Sequence, residues 1–163
     1  MRATFDTNIA DQSDLVQIAK RAGIDLAFVS VSAREVEETS FEAAVAQEES
    51  VVETLVLGES PIGRAALGRK TKVPCLERVL QVITSGSFPR KGARTVLSRG
   101  ERRQLRDAMI FCAHVRGQRD LFVTNDRTAF VDNGRREVFQ SEFRTRVMTS
   151  AEFRESLVGA PDV

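Results

Sequence analysis

Soft metal ligands are nearly missing from this chain: its 163 residues include one histidine, His114, and two cysteines, Cys75 and Cys112. No C-x-x-C pair occurs, which excludes a zinc ribbon and a disulfide framework, and each cysteine is expected to be a small apolar core residue. Long apolar runs are missing too. No stretch approaches the roughly 18 residues that span a bilayer. Asp6 and Asp11 stand where a signal segment would be basic and then apolar. The expectation is a cytoplasmic protein with no membrane contact. Internal repeats, low-complexity tracts and a linker to a second domain are also absent. What remains is a near-average globular composition, 42% hydrophobic and 29% charged, over a length that suits one domain with a real core.

The net charge of +1 conceals an asymmetry. Residues 1–60 carry four basic and twelve acidic side chains, a net of −8, which leaves +9 for the rest. Between Arg64 and Arg106 twelve basic residues, most of them arginine, face only Glu77 and Glu101. A solvated surface balanced by the acidic half is one reading of that block. A polyanion site is the other, and arginine, which grips phosphate bidentately, favours nucleic acid.

Strand and helix signals alternate along the chain. Residues 2–5 form a short apolar run that ends in Asp6-Thr7-Asn8, and Leu121-Phe122-Val123 ends in Thr124-Asn125-Asp126; both read as buried strands stopped by turn formers. Ser13 is the expected N-cap of a first helix that Gly23 stops. A strand over 26–31 follows, then a helix over about 33–57 capped by Ser32. The basic segment 58–100, rich in Gly and Pro, holds one helix near 76–83. Residues 101–116 form a helix, because Ala108, Phe111, Cys112 and Val115 repeat at helical spacing before Gly117. A helical turn at 127–131, a loop, an edge strand at 146–148 and a last helix over 150–157 complete the pattern. Repeating strand and helix units imply a mostly parallel sheet between helix layers, a three-layer α/β/α sandwich.

Acids gather at the ends of these elements. In an open α/β sheet ligands bind in the crevice at the carboxyl ends of the strands, where Asp6 and Asp126 fall; capping the following helices is the competing role for each. Asp107 stands immediately before the apolar stripe beginning at Ala108 and borders the buried face. Glu35, Glu37 and Glu38 lie early in the second helix, where the dipole favours acids in any protein. Glu35 and Glu38 share one edge and lean over the sheet end, while Glu37 points elsewhere.

Asp6-Thr7-Asn8 after an N-terminal strand, Ser-Ala-Arg-Glu-Val-Glu-Glu, Arg-Asp-Ala-Met-Ile-Phe-Cys-Ala-His and Leu-Phe-Val-Thr-Asn-Asp together resemble the PIN domain over nearly the whole chain. The resemblance implies a metal-dependent ribonuclease, with acids that cluster around Mg²⁺ or Mn²⁺ at Asp6, at Glu35 or Glu38, at Asp107 and at Asp126. Ala33 and Val36 flank Glu35 with apolar groups, as is usual in the family, whereas polar Thr39 follows Glu38, so Glu35 is preferred. Thr7, Asn8, Thr124, Asn125, Arg103 and Arg106 are the expected substrate contacts or supports of the carboxylates. The expected partners are RNA, a neutralising antitoxin if the chain is the toxin of a bacterial pair, and a second copy of the chain. The basic segment 58–100 is longer than a minimal member requires.

Carboxylates alone suit this chemistry. Mg²⁺ takes one or two of them and keeps waters and substrate phosphate in its other positions, and a cation relieves the repulsion among clustered acids. No side-chain nucleophile is needed. His114 is read as packing beneath the sheet in preference to touching substrate. A binding module that holds RNA without cutting it is the alternative. A phosphorylated receiver-type domain ranks last, because no lysine follows a later strand.

Overall fold

A computed structural model describes residues 1–9, 12–29, 49–51, 75–94 and 96–158. Strands buried on both faces carry near-continuous apolar runs, as β2 (Asp25–Val29) and β4 (Leu121–Val123) do, while β1 (Arg2–Phe5) buries Ala3, Thr4 and Phe5 after an exposed Arg2. β3 (Glu49–Val51) and β5 (Arg146–Met148) complete a five-stranded sheet of order β3-β2-β1-β4-β5, parallel at every pairing.

Strand order decides where the helices go. The chain steps from β1 outward to β2 and later from β4 outward to β5 in the opposite direction. Right-handed crossovers that move in opposite directions put their helices on opposite faces. On one face α1 (Ser13–Arg21) and α6 (Ser150–Val158) lie over Phe5, Leu26, Phe28 and Val123, with Leu15, Val16 and Phe153 buried between them. On the other face α2 (Cys75–Ile83), α3 (Arg99–Arg116), the short α4 (Arg127–Phe130) and α5 (Arg135–Phe143) cover Val29, Phe122 and Val147. The protein is therefore a single-domain α/β fold of three layers, as its sequence pattern implies.

α3 is the central helix. A capping box starts it: Ser98 Oγ accepts from Glu101 N at 3.2 Å, and Glu101 Oε2 accepts from Ser98 N at 2.7 Å. From Ala108 to His114 every side chain is buried, and Phe111 lies edge-on to Phe122 and stacked on Phe130. His114, fully buried, bonds Thr4 Oγ1 through Nδ1 at 2.9 Å and Thr145 Oγ1 through Nε2 at 2.6 Å. Burial, aided by the charge of Arg119, pushes its pKa down to about 3, so the imidazole is neutral. It packs beneath the sheet, away from the strand ends that carry the acids.

Several expectations need correction. Cys75 and Cys112 are joined in a disulfide that ties α2 to α3, with Cα atoms 5.8 Å apart. They are not two separate apolar residues; helix packing brings together positions 37 apart, which spacing does not reveal. The helix expected over 33–57 does not run through: residues 49–51 are the edge strand β3, and 33–48 and 52–57 lie outside the described residues. Ser13 is the first residue of α1, which follows Gln12 with no side-chain cap. The loop expected after α4 contains α5, which follows Gly134 in a left-handed turn, φ +76°, and buries Phe139. That helix is polar on most positions and shows little periodicity to detect. β2 begins at Asp25 and is described to Val29; residues 30 and 31 lie outside the described residues.

Candidate phosphate-binding and carboxylate site

β1 and β4 are neighbours at the point where the strand order reverses, the position where open α/β sheets bind ligands. Register carries Asp6 and Thr124 to that edge together. Asp6 N donates to Val123 O at 3.0 Å, so β1 stays paired up to the acid. Thr124 N likewise donates to Met148 O at 3.0 Å.

Asp6 is nearly fully buried, 3% exposed, and its carboxylate is held from several sides. Oδ1 accepts from Thr7 N at 2.8 Å. Oδ2 accepts from Asn8 Nδ2 at 2.8 Å and from Thr124 Oγ1 at 2.6 Å. Donors of this kind fix the rotamer of the carboxyl group. Thr124 Oγ1 also accepts from Asp126 N at 3.0 Å and Asn8 Nδ2 at 3.2 Å, and Asn8 Oδ1 accepts from Asn125 N at 2.9 Å. One polar net thus joins the turns after β1 and β4.

Asp126 carries out the capping role. Its Oδ1 accepts from Ala129 N at 2.9 Å and closes the first turn of α4, while Arg103 Nη2 approaches Oδ2 at 3.4 Å. The side chain of Asn125 serves α6: Oδ1 accepts from Ser150 N at 3.1 Å and Ser150 Oγ at 2.9 Å.

The opposite wall is the first half of α3. Arg99, Gly100, Arg102, Arg103, Arg106 and Asp107 line a cleft of about 990 Å³ whose other side is Asp6, Thr7 and Asn8. Residues 99, 102, 103 and 106 recur on one helix face. Asp107 lies midway along α3, which starts at Arg99, two residues before the expected start at 101. The sequence reading of the site includes Arg103 and Arg106 but misses Arg99 and Arg102. The signal for them is the Ser98-x-x-Glu101 capping box, which puts Arg99 inside the first turn. Other arginines of the basic block serve structure: Arg94 holds Glu77 through two bonds of 2.9 and 2.7 Å, and Arg78 pairs with Glu142.

Asp6 and Asp107 therefore share one cleft, with Asp126 set beside it. Glu35 and Glu38, the two candidates for a further acid, lie outside the described residues. Among the described residues no group of three His, Cys, Asp or Glu side chains converges to hold a metal. The donors on the cleft are hard oxygens, and two carboxylates match what Mg²⁺ or Mn²⁺ asks of a protein that leaves its remaining positions to water and phosphate. No helix among the described residues is long and apolar enough to cross a membrane. Neither a family model, a curated protein nor a solved structure matches the chain.

Proposed function

We propose that the chain is a PIN-like endoribonuclease that depends on Mg²⁺ or Mn²⁺ and hydrolyses RNA phosphodiester bonds in this cleft. One observation carries the reading: Asp6 and Asp107 share a cleft at the sheet's reversal point with four arginines. Held by Thr7, Asn8 and Thr124, Asp6 is fixed before ligand arrives, and such second-layer bonds hold a ligating carboxylate in place. Asp107 supplies the second carboxylate, and Glu35 or Glu38 the further acid that the reading calls for. Arg99, Arg102 and Arg106 neutralise and orient the phosphates, and Arg103 supports the wall through Asp126. A bound divalent cation would lower the pKa of a water and offset charge on the phosphate. The reading extends to a cytoplasmic location and to a toxin whose partners are an antitoxin protein and a second copy of the chain. The Cys75–Cys112 bond weighs against the cytoplasm, since disulfides persist in oxidising compartments.

A second reading, an RNA-binding module that does not cut, draws support from the arginines on the cleft wall, which serve binding as well as cleavage. The test is a denaturing-gel assay on labelled single-stranded RNA and DNA with Mn²⁺, Mg²⁺ or EDTA, comparing wild type with Asp107→Asn. Cleavage of RNA that requires metal and is lost in the variant supports the nuclease. Intact RNA that both proteins still bind supports the module.

A further inference from the structure

We infer that the first two turns of α3 form a track for about three consecutive phosphates of a single nucleic-acid strand, running from Arg99 inward to the carboxylates. The inference rests on the proposed nucleic-acid reading and specifies how much backbone the site holds, and on which wall. Arg99, Arg102 and Arg106 follow one stripe of the helix, and all three line the cleft. Seven residues of α-helix rise about 10.5 Å, which spreads the three guanidinium groups far enough for each to meet its own phosphate.

Other features of α3 fit that use. The capping box between Ser98 and Glu101 takes up the amides of those two residues and fixes the turn on which Arg99 and Arg102 stand exposed. Gly100, the second residue of α3, lines the cleft, and a Cβ added there would meet nothing within 4 Å. The glycine leaves the backbone of α3 open to close approach by a strand. Arg103, one step off the stripe, reaches to Asp126 and ties the track to the β4–α4 turn. At the inner end Arg106 stands next to Asp107, so phosphates on one side of the scissile bond lie on α3.

The experiment is fluorescence anisotropy in EDTA with a labelled oligouridylate of about a dozen nucleotides, titrated over a fourfold range of salt. Each phosphate neutralised on a single strand steepens the log–log salt slope by about 0.7, so three give about −2. Wild-type affinity should then fall about 16-fold across the range, and that of the Arg99→Ala/Arg102→Ala double variant only about 3-fold. Arg102→Lys should keep the wild-type slope, and both substituted positions are exposed, so melting temperatures should not change. Wild type that binds with a slope the double variant shares overturns the track and leaves the nuclease reading in place. Wild type that binds no RNA at the lowest salt also overturns the track, and the nuclease reading then stands or falls on the cleavage assay with metal.

Discussion

His114 makes stability fall as the solution is acidified, and the size of the effect follows from its burial. In the folded chain the imidazole is fully buried between Thr4 and Thr145, and its pKa is pushed down from 6.5 to about 3. In the unfolded chain it titrates near 6.5, so between these values only the unfolded state binds the proton. A depressed folded pKa of this kind contributes stability that is full above 6.5 and shrinks as pH falls toward 3. Within that window the loss is about 1.4 kcal/mol per pH unit, so acidifying from pH 7.5 to pH 5 should cost about 2 kcal/mol. That is a large part of the 5–15 kcal/mol typical of a domain. The window stays above pH 5 because carboxylates such as Glu142, held down by its hydrogen bonds with Arg78, lose stability in the same direction at lower pH. His114 is the only histidine, so substitution isolates it. Urea unfolding of wild type and His114→Asn at several pH values is the assay. The variant is expected to be less stable throughout, with a flatter dependence on pH between 7.5 and 5. Parallel curves, or wild type gaining stability on acidification, would refute the argument from burial.

Four further outcomes are expected. Thr124→Val removes a buried hydroxyl that donates to Asp6 and accepts from Asp126 N and Asn8; urea unfolding should show a loss of about 1–3 kcal/mol. Under the nuclease reading the same variant weakens Mn²⁺ binding measured by calorimetry by about 10-fold or more. Phe111→Ala opens a cavity among Phe122, Phe130, Phe139 and Phe143 and should cost about 3–5 kcal/mol by the same measurement. Reducing the Cys75–Cys112 bond, which closes a loop of 37 residues, should lower stability by about 3–4 kcal/mol; equal unfolding midpoints with and without dithiothreitol would contradict this.

Legibility followed the range of the interaction. The strands ending at Phe5 and Val123 and the long stripe from Ala108 were readable because their signals are local: a short apolar run cut by turn formers, and a 3.6-residue period. Asp6, Asp107 and Asp126 were singled out for the same reason, each standing at a junction or border that sequence displays, and Arg103 and Arg106 belong to the basic block that the charge count displays. β3 and α5 escaped because neither carries such a signal. β3 spans three residues and is a strand through its pairing with β2, and α5 follows a left-handed glycine with one buried aromatic to mark its inner face.

Composition and pattern were enough to determine the α/β class, the parallel sheet, the asymmetry of charge and the placement of acids at strand ends, since each depends on near neighbours in the chain. Only the tertiary structure decided that β1 lies beside β4, which brings Asp6 under the hydroxyl of Thr124 from 118 residues away. It also decided that Asp126 caps a helix, that Arg99 and Arg102 share a wall with Asp107, and that Cys75 meets Cys112. These are contacts between elements, and the register of a sheet and the packing of helices upon it depend on the whole core.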